Sequence, residues 1–320
     1  MRIDYSKTVT EIKQPGWIAD PDRPGSSKYS EAAETIRVRS KIAYLHFDSW
    51  TNLVQTAERS PLNPEYKMQQ SRRYGDYNEA IRLGAFGWTE GAKRIRAIAT
   101  PFYEQLSRET FRPMPYFAEE GGAIDMGRYL AGESEAFLQW RESDELSYGK
   151  TKRHVKIAYN ISASGGLASQ VFDRGGHLCA LIDLLESQGR RVTLDLFDGA
   201  VRNGRITNSV GKSGQSLRLA QGGTQIYVRA QLKAADQPVN LEHLAFALAH
   251  PDCLRGLVFA IEEALPEPFF KATYEQPIDP PDLEEDADII LTSQYLRDIP
   301  NMAQWVRKVL TDQGIEFTEE

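Results

Sequence analysis

The sequence predicts an α/β fold, with α+β as the remaining alternative: a central mixed sheet with flanking helices, preceded by a mostly helical N-terminal region. Three observations carry this reading. Residues 153–160 (RHVKIAYN) and 191–197 (RVTLDLF) alternate as strands do, and residues 176–187 (GHLCALIDLLES) between them have the apolar period of a helix. Residues 224–233 (TQIYVRAQLK) alternate again. Two helical stretches follow at 241–249 and 253–264, then a strand at 288–292 (DIILT) and an amphipathic helix at 301–313. Strands interleaved with helices build a sheet with helices packed on it.

Taken in order, residues 1–30 are rich in Pro, Gly and Ser and predict an extended arm. The segment from Glu31 to Arg59 reads as helical, with Ile36, Ile42, Leu45, Trp50 and Leu53 as its apolar positions. Helices are also expected after Asp76, between Glu90 and Glu109, where Pro101 should kink or split the helix, and within 121–140. Gly189 stands where the helix at 176–187 needs a residue in the left-handed conformation. Residues 262–288 hold ten acids, one lysine and five prolines. The organisation expected is an extended arm (1–30), a helical region (31–150), an α/β core (151–265), an acidic Pro-rich linker (266–287) and a C-terminal strand and helix completing the core (288–320).

Composition narrows the function. A chain of 320 residues with 41% hydrophobic and 26% charged residues can bury a sizeable core. It has no apolar run of membrane-span length, and its first residues, MRIDYSKTVTEIKQPGW, do not read as a secretory signal. Cys179 and Cys253 sit in apolar helical stretches without metal-ligand spacing. The histidines have no HExxH-type spacing; His243 and His250 would lie two helical turns apart, about 10 Å in rise. Gly211-Lys212-Ser213 resembles the end of a phosphate-binding loop, but Ile206 stands where that motif needs glycine. Nothing nominates a catalytic centre, so the chain reads as a non-enzyme with no cofactor and no metal.

Charge patterning is more informative. The net charge is −7, yet residues 199–235 contain six basic residues, six glycines and no acid. Flexible basic chain suits a polyanion, because each cation that meets a phosphate releases counterions. Aromatic residues stand beside basic ones elsewhere as well. The candidate nucleic-acid-binding set is therefore Arg72, Arg73, Tyr74, Lys150, Lys152, Arg153, Lys156, Arg202, Arg205, Lys212, Arg218, Tyr227 and Arg229. Single strands use cations for phosphates and flat rings for bases, at about 1–3 kcal/mol per stacked base. The alternative for each residue is an ordinary charged surface or a packed tyrosine.

Two resemblances add to this. Asn160-Ile-Ser162-Ala-Ser164 resembles the D-x-S-x-S metal motif of von Willebrand A domains, and the helix and strand after it resemble that fold. Asparagine replaces the anionic ligand that a hard divalent cation prefers. A von Willebrand A-like interaction module, for instance the partner of an AAA+ ATPase, is the second functional reading. Residues 74–91 (YGDYNEAIRLGAFGWTEG), 175–196 (GGHLCALIDLLESQGRRVTLDL) and 239–264 (VNLEHLAFALAHPDCLRGLVFAIEEA) together resemble a family of bacteriophage proteins with an otherwise uncharacterised domain. That resemblance implies a single-stranded-DNA-binding cofactor of a podoviral RNA polymerase, with a role in replication as well, working in the cytoplasm of the infected host cell. It carries no catalytic signature.

Overall fold

The computed structural model describes residues 1–19, 27–60, 77–109, 115–118, 123–124, 126–131, 137–140, 154–162, 168–211, 214–269 and 276–315. The chain opens with two long strands, β1 (Arg2–Ala19) and β2 (Ser27–Phe47), paired antiparallel. Three helices follow: α1 (Trp50–Arg59), α2 (Tyr77–Phe86) and α3 (Thr89–Glu109). A small sheet then forms from β3 (Pro115–Ala118), β4 (Ala123–Ile124) and β5 (Phe137–Trp140), with α4 (Met126–Leu130) between β4 and β5. The α/β part comprises β6 (His154–Asn160), α5 (Ala168–Ser187), β7 (Arg191–Arg202), the hairpin β8 (Arg205–Val210) and β9 (Ser216–Gln221), and β10 (Gly223–Lys233). Helix α6 (Leu241–Ala249) precedes a π-helical turn, α7 (Cys253–Val258), which runs into α8 (Phe259–Glu263). The chain closes through β11 (Gln276–Pro277), α9 (Leu283–Asp286), β12 (Ile289–Leu291), α10 (Tyr295–Asp298) and α11 (Met302–Asp312).

The fold is α/β around a seven-stranded mixed sheet of order β1-β2-β10-β7-β6-β12, with β11 added to β7. β6 runs parallel to β7 and to β12, whereas β10 runs antiparallel to β7. Strand, helix α5 and parallel strand thus form one crossover unit, as the alternation of 153–197 predicts. Gly189 adopts φ +77° just past α5, and its NH donates to the Glu186 carbonyl.

Helices cover one face of the sheet. Val155, Ile157, Tyr159, Val192 and Leu194 pack against α3, α5, α6 and α11. Ala43, Leu45, Leu196, Ile226 and Val228 pack against α1, α2 and α6 to α8. Among the described residues no single helix is long and apolar enough to cross a membrane. The opposite face is partly covered by the β8–β9 hairpin and by residues 276–290, through Ala158, Phe197, Leu217, Leu283 and Ile290. Ile278 joins Val201 and Tyr227 on the same face. Gly199 permits this crossing, because a Cβ there would stand 2.6 Å from the Ile278 carbonyl oxygen.

Several expectations change. Residues 31–47 are strand, not helix; the helix begins only at Trp50, capped by the Ser49 hydroxyl, which accepts from the Asn52 NH. Ala43, Leu45 and Phe47 are buried while Ile42, Tyr44 and His46 are half-exposed, a period of two. Parallel pairing with β10 decides the matter, a long-range partner that local spacing does not reveal. Arg2–Ala19, expected as an extended arm, is paired along its length with β2. Helix α3 runs through Pro101 as one element, so the proline does not split it. Of the stretch read as an acidic linker, the described part contains fully buried Ile278 and Asp279 and nearly buried Leu283.

Candidate functional site

The acid-free stretch 199–235 splits into two environments. β7 leaves the sheet after Arg202 through Asn203, which adopts φ +56°. β8 and β9 then pair only with each other, from Arg205 opposite Gln221 to Val210 opposite Ser216, and form a two-stranded sheet of their own. Leu217 anchors the hairpin in the core, while Arg205, Asn208, Ser209 and Val210 are exposed. Acids hold the inner strand in place. The Arg218 NH donates to the Asp279 carboxylate at 2.9 Å, the Asp279 NH donates to the Arg218 carbonyl at 2.8 Å, and the Ser216 NH donates to the Asp298 carboxylate at 2.6 Å. The Arg218 guanidinium reaches Gln276 Oε1 at 3.5 Å. Arg202 and Arg218 are half-buried.

β10 behaves differently. Tyr227 is buried, its ring stacks on Tyr44 at 5.0 Å and its hydroxyl donates to Gln225 at 2.9 Å. Burial, reinforced by Tyr44, Asp279 and Asp282, raises its phenol pKa far above the usual value. No ring face is left for a base, which corrects the stacking role expected of Tyr227. Arg229 donates to Asp195 from Nη2 and to Asp286 from Nη1, each at 2.6 Å. Burial works against its charge, but the two carboxylates outweigh it and raise its pKa. Lys156 stands 3.7 Å from the same Asp195 oxygen. Lys156, Asp195, Arg229 and Asp286 therefore form an ion-pair ladder across β6, β7 and β10, and the phosphate role expected of Arg229 and Lys156 gives way to internal pairing. Arg72, Arg73, Tyr74, Lys150, Lys152, Arg153 and Lys212 lie outside the described residues.

A third cluster sits at the carboxyl end of β6. Asn160 Oδ1 accepts from the Ser162 NH and hydroxyl, and its Nδ2 donates to Asp279 at 2.7 Å and to the Ile278 carbonyl at 3.2 Å. Asp279 also accepts from the Ser293 NH and hydroxyl, at 2.7 and 2.9 Å. Burial raises the Asp279 pKa, and the bonds from Arg218, Ser293 and Asn160 pull it partly back. Asp198 is buried too, and burial raises its pKa. Asn160 thus spends both ends of its amide inside the protein. Among the described residues no group of three or more His, Cys, Asp or Glu side chains is placed to hold a metal. Cys179 and Cys253 are buried, unbridged thiols whose pKa burial pushes up.

Sequence reasoning missed Asp195 and Asp279. Their signal was present: Asp195 interrupts the apolar run of RVTLDLF, and Asp279 follows the apolar Ile278 in an otherwise polar, acidic stretch. A charge flanked by apolar strand residues is a charge with a partner.

The family described as "Domain of unknown function (DUF7192)" matches residues 25–316, and the chain belongs to it. No curated protein and no solved structure matches the chain.

Proposed function

We propose, for a member of a family whose description assigns no activity, a non-enzymatic single-stranded-DNA-binding protein that contacts its ligand through the β8–β9 hairpin. One observation carries the reading: a hairpin standing apart from the main sheet, bearing Arg205 on its exposed strand, Arg218 within its inner strand and Arg202 where β7 leads into it, in a stretch with no acid. The cations would meet phosphates, and affinity would fall steeply with salt. The cofactor role at a phage RNA polymerase or in replication, and the host-cell cytoplasm as its place, are parts of this same reading and rest on the sequence resemblance. A gel-shift titration with single-stranded and duplex oligonucleotides tests it. The expected result is preferential single-strand binding that weakens about tenfold or more when Arg202, Arg205, Lys212 and Arg218 are replaced together by Ala. Absence of binding at low salt, or a preference for duplex, overturns the reading.

The second reading is a von Willebrand A-like protein-interaction module that partners an AAA+ ATPase. It is favoured by the sheet order β10-β7-β6-β12, with the Asn160 loop at the carboxyl end of β6. Calorimetry with magnesium or manganese is expected to register no binding, since Asn160 is committed to Asp279 and Ser162. Metal binding in the micromolar range would restore the ion-dependent form of this reading.

A further inference from the structure

The outer edge of the main sheet carries a groove bordered by Gln215 of the hairpin turn. β12 is the last strand on that side, and α11 packs beside it in the same core. Between them lies a cavity of about 360 Å³, walled by Trp305 and Val309 of α11 and floored by Ile289 and Ile290 of β12. Trp305 is only partly buried. Glu284, Asp288 and Asp312 line the cavity with Lys308, three carboxylates against one ammonium group, and Asp288 also accepts from the Lys156 NH at 3.0 Å.

The strand edge itself is closed to an added strand. The Gln215 side-chain amide donates to the Ile290 carbonyl and accepts from the Thr292 NH, the two positions a neighbouring peptide would use. What the groove offers is a side-chain pocket rather than a pairing edge. An indole face attracts a cation through its ring quadrupole, and carboxylates match the planar donors of a guanidinium. The volume falls within the range of about 300–1,000 Å³ typical of ligand pockets. A phosphate chain, by contrast, would meet a surplus of negative charge.

We propose that this groove binds an arginine side chain presented by an extended segment of a partner protein. Isothermal titration of the full chain with the peptide Gly-Gly-Arg-Gly-Gly, and with the same peptide carrying glutamate in place of arginine, is the test. Saturable binding of the arginine peptide is expected, with the glutamate peptide weaker by about tenfold or more. Trp305→Leu and Asp312→Asn should each weaken the arginine peptide by about threefold to tenfold, and Lys308→Ala should strengthen it. Asp312 is exposed at the end of α11, so its variant decides the matter even if Trp305→Leu disturbs packing. No saturable binding, equal affinity for both peptides, or binding untouched by Asp312→Asn overturns the proposal.

Discussion

Arg205 and Arg229 stand in the same acid-free stretch of chain, and the fold gives them opposite surroundings. Arg205 opens an exposed strand that pairs only within its hairpin. Arg229 lies across the sheet face, clamped by Asp195 and Asp286. Both are arginines in β-structure, one between Gly204 and Ile206 and the other between Val228 and Ala230. What separates them is the chain packed above each: residues 276–290 bring Asp286 onto Arg229, while Arg205 stays exposed. Charge counted along a sequence therefore overstates charge available to a partner, because buried cations are paired cations.

The comparison can be broken at several points. The largest effect is expected at Asp279→Ala. It removes the acceptor shared by the Arg218 NH, Ser293 and Asn160, and should lower stability by about 3–5 kcal/mol in urea denaturation. Faster amide exchange along β9 should accompany it, since β9 hangs on that carboxylate. Arg229→Ala leaves Asp195, which is 1% exposed, facing only Lys156, and should cost about 2–4 kcal/mol with single-strand affinity unchanged. A drop in affinity without a drop in stability would reverse the assignment of Arg229 to the scaffold.

Asn160→Asp sharpens the carboxyl-end cluster. It sets a second carboxylate against Asp279, should destabilise by about 1–3 kcal/mol at neutral pH, and should be partly rescued by millimolar manganese, read as a melting-temperature shift. Asp198 and Asp279 both have folded-state pKa values raised above the ordinary aspartate value. Each therefore binds its proton more tightly when folded. That stability is fully present below the ordinary aspartate pKa and is lost as pH rises through the raised value. Asp198→Asn should flatten this fall, so the variant gains relative to the parent as pH climbs from 4 to 7 in denaturation series. Arg205→Ala should change stability least, by no more than about 0.5 kcal/mol, while weakening single-strand binding and reducing its salt dependence.

Much of the α/β part was readable from local pattern. Residues 241–249 form a helix at the bounds their apolar period predicts, because Asn240 caps the first turn and Pro251 follows close behind. RHVKIAYN, RVTLDLF and TQIYVRAQLK became adjacent strands, since their alternation matches a sheet with one face under helices. The first 47 residues misled for a physical reason: Ile36, Ile42 and Leu45 fit a helical period, but pairing of β2 with β1 and β10 outweighs so weak a local preference. The site was less legible. The hairpin's basic charge and its glycine-rich connections are sequence features; the carboxylates on Arg229 come from Asp195, 34 positions earlier, and Asp286, 57 positions later, and the one that pins Arg218 comes from Asp279, 61 positions later.

The sequence by itself determined the fold class, the crossover at residues 154–202, and the concentration of cations between Gly199 and Ala235. Those properties follow from side-chain period and local composition, which act over a few residues. Tertiary structure alone decided which of those cations remain open to a partner, that Tyr227 lies under Tyr44, and that Asp279 ties the Asn160 loop to the hairpin. Ion pairing and burial depend on what distant chain brings into contact, and no local pattern carries that information.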